Sequence, residues 1–171
     1  MKIPTLETER LRLRAFSMAD WDAYSAMCAD VSFVRFLGGE QLSRHGAWKE
    51  MATILGHWQL LGYGIWAVES LDQGELVGRV GLLHLPGWPD VEVCWAFSPQ
   101  SWGKGYATEA AKAAVQWAFT EAGLPRLISL VHPENKASEA VARKIGETLR
   151  EEITFQGKPT NVFEILNPTQ A

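Results

Sequence analysis

Hydrophobic and polar positions alternate from Glu7 to Phe16. Leu11 and Leu13 fall on one side, and Arg10, Arg12 and Arg14 on the other. Period two predicts a half-exposed strand whose arginines form a solvated face. Ser17, with Asp20 three residues on, has the order of a capping box and predicts a helix through Trp21, Tyr24, Met27 and Cys28. Phe33 to Gly39 reads as a short helical or turn segment ended by Gly38-Gly39. Ala47, Met51, Ile54, Trp58 and Leu61 recur at helical spacing, with Ser43 placed to cap and Gly62 to stop them. Gly64–Glu69 and Leu76–Leu85 predict a hairpin turned on Asp72-Gln73-Gly74. After a Pro86–Asp90 loop, Val91–Phe97 is a further strand. Ala107, Ala111, Ala114 and Ala118 then line one face of a helix reaching to near Ala122. Arg126–His132 is a strand, Lys136 to Ile145 a helix stopped by Gly146, and Leu149–Phe155 with Asn161–Ile165 a hairpin around Gly157-Lys158-Pro159.

This order predicts one α/β domain over residues 1–171, without repeat, linker or low-complexity tract. The strand–helix–strand unit from Val91 to His132 should set its two strands parallel in one sheet.

Composition narrows the function classes. The 171 residues carry a net charge of −4, with 47% hydrophobic and 21% charged positions. No basic stripe is present, so nucleic acid is not an expected partner. Cys28 and Cys94 are too few for a disulfide framework and read as buried free thiols of a reducing compartment. No apolar run reaches membrane-spanning length and no signal h-region opens the chain, so no membrane partner and a cytoplasmic location are expected. Eight tryptophans imply an aromatic core, with some left to line a pocket. No His/Cys/Asp/Glu spacing suggests a metal site, and no Ser-His-Asp or Cys-His order suggests a covalent nucleophile.

The chemistry-bearing stretch is Ser98-Pro99-Gln100-Ser101-Trp102-Gly103-Lys104-Gly105-Tyr106-Ala107-Thr108-Glu109. A strand end, a glycine-bearing loop and a helix N-terminus converge free N–H groups and the helix dipole on one point, which suits a phosphate. The order of a nucleoside-triphosphate loop is absent, and the third position of a dinucleotide fingerprint is Thr108.

Four ordered stretches carry a family resemblance: Thr8-Glu9-Arg10-Leu11-x-Leu13-Arg14, Gly78-x-x-Gly81-Leu82, Gly103-Lys104-Gly105-Tyr106-Ala107-Thr108-Glu109-Ala110 and Asn135-Lys136-Ala137-Ser138. The chain resembles the GNAT superfamily of acyl-CoA-dependent N-acetyltransferases, in the branch of the Rim-type ribosomal-protein N-terminal acetyltransferases. The resemblance implies a mixed sheet of about six or seven strands flanked by about four helices, with the fourth and fifth strands parallel and splayed. It implies acetyl-CoA as cofactor and direct attack by a primary amine, either a protein N-terminus or a small molecule. The pyrophosphate would lie on the main chain of Trp102, Gly103, Lys104, Gly105, Tyr106 and Ala107, with Gln100 in the same motif. Trp95, Ala96 and Phe97 would pair with the pantetheine. Asn135 would bond the cofactor arm or a nearby water, and Ser138 would lie near the sulfur. Relatives are often dimers, so a homodimer is compatible with the resemblance.

The departures are specific. The tyrosine many members carry seven residues after the asparagine is Ala142 here. The usual Glu-Ile-Gly-Tyr is Glu92-Val93-Cys94-Trp95, and the phenylalanine that usually follows the last helix's glycine is Glu147. Glu92, the carboxylate of its strand, reads equally as general base or as a structural carboxylate. Ser138 reads as a group that positions the thiol or packs the helix. His84 and His132 are secondary proton-transfer candidates. Trp21, Phe33, Phe36, Trp88 and Phe155 are the aromatics expected on the acceptor side. An oxyanion donor is expected at a bulge in the Glu92 strand. A CoA-binding module without transfer activity, and a nucleotide-binding α/β domain unrelated to CoA, are the competing readings.

Overall fold

The computed structural model describes residues 2–170, so the two end residues of the expected domain lie outside it. The alternation near the N-terminus yields two strands rather than one. β1 (Leu6–Glu7) and β2 (Leu11–Arg14) pair antiparallel, because the Arg10 N–H leaves the ladder and donates to Glu109 Oε1 at 2.9 Å. The arginines are partly solvated, as expected, and each is also paired with carboxylates. Arg12 binds Glu7 and Glu69, and Arg14 binds Glu69 and the buried Asp20. Asp20 also accepts the Ser17 N–H at 2.8 Å, as the capping order predicts.

The longer helices follow their sequence signals closely, whereas the short helical segment expected from Phe33 to Gly39 forms earlier, at Val31–Val34, because Asp30 caps it. α1 (Trp21–Cys28) and α2 (Val31–Val34) precede α3 (Arg44–Leu61). Ser43 Oγ accepts the Gly46 N–H, and Gly62, at φ 79°, closes α3 in the left-handed conformation a glycine takes without strain. Then come β3 (Ile65–Ser70), β4 (Leu76–Leu83), β5 (Glu92–Phe97), α4 (Tyr106–Thr120), β6 (Arg126–Val131), α5 (Lys136–Lys144), β7 (Thr148–Phe155) and β8 (Lys158–Leu166). The last hairpin turns on Gln156-Gly157, both with positive φ, so Lys158 and Pro159 belong to β8 rather than to the turn.

Eight strands form one sheet in the order β1-β2-β3-β4-β5-β6-β8-β7, with β5 and β6 parallel and the other neighbours antiparallel. Eight strands and five helices exceed the expected numbers, since β1 and the short α2 are separate elements. The buried Ala110, Ala111, Ala114 and Ala118 let α4 lie close on one face, while Ala107 turns toward a cavity. Trp58, Trp66 and Trp117 pack edge-on, centroids 4.8–5.5 Å apart, and make the aromatic core expected of the tryptophans. α1 to α3 cover the other face, with Tyr24, Met27, Met51 and Ile54 against Ile65, Ala67 and Ala96.

Gly81 on β4 is where strands approach most closely. A Cβ there would meet Gly64 O at 2.3 Å and Ile65 Cα at 2.5 Å, atoms of the main chain that cannot rotate away. Gly81→Ala should therefore destabilise the fold on the order of 3 kcal/mol in urea unfolding; a loss below about 1 kcal/mol would mean that β3 and β4 part at little cost.

Candidate active site

The glycine loop sits between β5 and α4. A short 3-10 turn, Pro99–Ser101, follows β5, and Gly103 (φ 75°) and Gly105 (φ 81°) then take left-handed conformations that a Cβ would oppose. No side chain caps α4, so the amides of its first turn are left for a ligand. The loop is clamped from behind. Arg10 Nη1 donates to Lys104 O at 2.9 Å, Arg10 Nε to Glu109 Oε2 at 2.7 Å, and Thr8 Oγ1 to Glu109 Oε1 at 2.6 Å. Burial alone would raise the Glu109 carboxyl, but the donors from Thr8 and Arg10 outweigh it and hold the group below its ordinary range. Two stretches that carry the family resemblance thus interlock, a pairing that sequence spacing does not reveal.

β5 and β6 pair at Glu92 and Ile128, where the Ile128 N–H donates to Val91 O, and then diverge. The next ladder bond of a parallel pair would join Leu130 N–H to Val93 C=O. Side chains take both groups instead. Leu130 N–H points at Glu92 Oε1 over a long 3.4 Å, and Ser129 Oγ donates to Val93 O at 2.8 Å. Along β5, the groups of Val91 and Val93 face β6, whereas Ser98 N–H binds Val77 O on the β4 side. By alternation the N–H and C=O of Trp95 and the N–H of Phe97 lie on the open edge, and the main chain of Ala96 turns to Arg79 on β4. Phe97 O accepts Trp102 Nε1–H at 2.8 Å. The β4–β5 register is continuous from Gly78↔Phe97 to Leu83↔Glu92, so the outward N–H groups come from the splay and not from the expected bulge.

Two cavities meet at this splay, sharing Arg35, Phe36 and Leu37 in their walls. One, of about 560 Å³, runs from the glycine loop past Trp95, Ala96 and Phe97 to Asn135 and Ser138. The other, of about 740 Å³, is lined by Glu92 and Cys94 beneath Phe36, Trp88, His132 and Phe155. Successive β5 side chains point to opposite faces, which sends Glu92 and Cys94 to one cavity and Trp95 to the other. Trp88 and Phe155 pack edge-on at 5.1 Å, and Lys158 Nζ donates to Gly38 O at 3.0 Å, joining the β7–β8 hairpin to the loop after α2.

Within the larger cavity, Trp88 Nε1 donates to Glu92 Oε2 at 2.8 Å. Burial pushes the Glu92 carboxyl up to about 7 against the opposing pull of Trp88, Leu130 and Arg79. Burial, with the Glu92 charge adding to it, also raises the Cys94 thiol far above its ordinary value and keeps it protonated. Arg79 pairs with Glu50 at 3.0 Å on the cavity wall. His57 has both ring nitrogens engaged. The His84 N–H donates to Nε2 at 3.0 Å, so Nδ1 carries the proton that goes to Tyr63 O at 2.8 Å. In the smaller cavity, Asn135 Oδ1 caps α5 by accepting the Ser138 N–H, and Ser138 Oγ accepts Trp95 Nε1–H at 3.3 Å.

The other expected residues divide. Gln100 and Lys104 are exposed and off the cavity lining, Lys104 taking part through its carbonyl. Phe33 lines the smaller cavity, while Trp21 stacks under Arg44 away from both. His84 is exposed; its main-chain N–H serves His57, and His132 packs against Phe36. Trp88 as partner of Glu92, the Arg10–Glu109 clamp, and Ser129 with Glu147 were not readable in advance. Among the described residues, no cluster of His, Cys, Asp and Glu could hold a metal, and no helix is long and apolar enough to cross a membrane.

The family model of the acetyltransferase (GNAT) domain matches residues 10–148. The chain belongs to the GNAT acetyltransferase family. An uncharacterized N-acetyltransferase of Bacillus subtilis, YoaA, is 30% identical over 98% of this acetyltransferase and 99% of its own length. The uncharacterized YkkB of the same strain is 36% identical over 107 residues, which span 60% of this chain and 62% of that protein. The crystal structure of an acetyltransferase from Agrobacterium tumefaciens superposes with a TM-score of 0.86 at 35% identity, covering 96% of this chain and 95% of that one. The Rim-type resemblance extends to the fold: the ribosomal L7/L12 α-N-protein acetyltransferase RimL, solved with coenzyme A, has a TM-score of 0.81 at 16% identity, over 95% of this chain and 98% of that one. The protein is thus an acetyl-CoA-dependent N-acetyltransferase, and the nucleotide reading falls away. The uncapped N-terminus of α4, its two left-handed glycines and the open edge of β5 fit the cofactor.

Proposed function

We propose that this acetyltransferase moves the acetyl group directly to a primary amine seated in the Glu92 cavity, both ligands being bound together. The observation that carries the reading is the junction itself. A cradle for an anion and a cavity holding a near-neutral carboxylate open onto the same break in the sheet. When bound, acetyl-CoA supplies an acetyl thioester already activated for attack. Amides from Gly103 to Ala107 would hold its pyrophosphate, the Trp102 N–H being spent on Pro99 O, with Gly103 and Gly105 admitting close approach. The C=O of Trp95 and the N–H of Phe97 would pair with the pantetheine as an added strand does. Asn135, its oxygen spent on the helix cap, has its amide nitrogen left to meet the cofactor arm.

Glu92 takes the proton of the incoming ammonium, a role its raised affinity for protons suits near neutral pH. The outward Trp95 N–H is placed to receive the charge that develops on the carbonyl oxygen. Ser138, accepting from the Trp95 indole, keeps its own proton to donate toward the departing sulfur. A Cys94 thiol held protonated is a poor nucleophile, which favours direct attack over a covalent enzyme intermediate. The acceptor class is a peptide N-terminus or a small-molecule amine.

Acetyl-CoA at roughly a hundredfold excess over Kd should raise stability by about 2.7 kcal/mol, a Tm shift on the order of 5–10 °C for a domain of this size. Absence of any shift at millimolar ligand would refute the cofactor assignment. Thiol release across peptide N-termini, polyamines, amino acids and aminoglycosides then identifies the acceptor; release with none of them would leave CoA binding without transfer.

A further inference from the structure

Glu147 lies between α5 and β7 and is 3% exposed, though nothing in the proposed chemistry uses it. Its Oε1 is 3.0 Å from Ser129 Oγ, which in turn is 2.8 Å from Val93 O. Glu147 Oε2 is buried with no hydrogen-bond partner among the described residues. A serine hydroxyl carries one proton, and a carbonyl can only accept. If Ser129 serves Val93, its contact with Glu147 needs a proton from the glutamate. An ionised Glu147 would instead be a buried anion facing an unpaired carbonyl, a costly pair of losses.

Among the described residues no cation is available to offset that charge. On α5, Lys136 and Arg143 pair with Glu139, and Lys144 is exposed. Arg150 of β7 pairs with Glu151 and with Glu164 of β8, and Arg126 of β6 reaches Asp90 and Glu164. Glu152 of β7 is exposed, and Lys158 of β8 is bound to Gly38 O. The charged group that acts on Glu147 is Glu92 of β5, which is itself acidic. Burial pushes the Glu147 carboxyl up to about 8 against the opposing pull of the Ser129 contact, and the Glu92 charge adds to the rise.

We propose that Glu147 is a positioning residue carried as a neutral carboxylic acid, which donates a hydrogen bond to Ser129 Oγ so that the serine's own hydroxyl stays on the Val93 carbonyl and ties β5 to the rest of the sheet where the β5–β6 ladder ends, and that losing the Glu147 proton disables the site. On ionisation, Glu147 accepts the hydrogen bond of the Ser129 hydroxyl in place of Val93 O. Val93 C=O is left unpaired at the mouth of the splay, and a second negative charge joins Glu92. The kinetic consequence rests on the splay being the site of acetyl transfer; the neutral acid does not.

Two measurements on the full chain test this. Infrared difference spectra between wild type and Glu147→Gln near neutral pH should contain the carbonyl stretch of a protonated carboxylic acid, and the band should fade as pH rises through about 8. The kcat/KM of the wild type should fall about tenfold per pH unit above that point, whereas Glu147→Gln, whose amide can donate to Ser129 and does not ionise, should lack this fall. A purely structural Glu147 would not move the alkaline limb. Absence of the acid band overturns the proton assignment, and an unchanged alkaline limb in Glu147→Gln overturns its role at the splay. The infrared measurement needs no acceptor, so failure of the acetyl-transfer reading and failure of the neutral acid are told apart.

Discussion

Replacing Glu92 by glutamine is expected to lower kcat/KM by about 10²–10⁴ and to remove the acid limb of the pH–rate profile. The wild-type limb should centre near the Glu92 carboxyl, about 7, because only the ionised form can accept the proton of the ammonium. Loss of a base and loss of a fold are separated by stability. A carboxyl raised by burial favours the folded state while it is protonated, and that contribution is lost as pH rises from its unfolded value, about 4.3, through about 7. Glu92→Gln removes this decline, so the variant should hold its Tm better than wild type between mildly acidic and mildly alkaline pH while turning over far more slowly. The glutamine oxygen can keep the Trp88 indole bond, and its amide faces the Leu130 N–H over the longer of the two contacts. Unchanged turnover with the acid limb intact would make Glu92 a ladder wedge and nothing more.

Gly105→Val should weaken acetyl-CoA binding by about ten- to a hundredfold. A β-branched residue at φ 81° costs on the order of 1–3 kcal/mol where it stands, and each 1.4 kcal/mol is about tenfold in affinity. The new Cβ would lie 3.4 Å from Arg10 Nη2, so the valine methyls press on the clamp that holds Lys104 and Glu109. The chain can relieve the strain only by turning the first amides of α4 away from the cavity. Gly123→Ala is the control. It shares a left-handed φ of 64° and has open space around its Cβ, but lies off both cavities. It should cost stability on the order of 1 kcal/mol and leave affinity alone. Calorimetric titration with acetyl-CoA reads both, and equal affinity in Gly105→Val and wild type would sink the loop assignment.

Local signals in this chain were legible where one or two residues decide the backbone. Ser43 and Gly62 bound α3, and Gly146 stops α5, because caps and left-handed glycines act within a turn of the chain. The Gln156-Gly157 turn was misplaced by a residue or two because Pro159 also signals a turn, yet it fits within the outer strand β8. The alternation from Glu7 to Phe16 read as one strand because period two does not register that Arg10 has a distant acceptor in Glu109.

What the sequence by itself determined was the fold class and the cofactor: alternating strands and helices, a glycine loop at a strand end, and four ordered stretches of family resemblance. These depend on neighbours within a few residues, and the chain carries them openly. Only the tertiary structure decided what happens at the break in the sheet. Glu92 takes the Leu130 N–H, Ser129 takes the Val93 carbonyl, Trp88 crosses from a loop to Glu92, and Glu147 stands behind Ser129. Apart from Trp88, these partners lie 18 to 38 positions apart. Their meeting depends on where two parallel strands stop pairing, and that point is set by packing on both faces of the sheet, which no local pattern encodes.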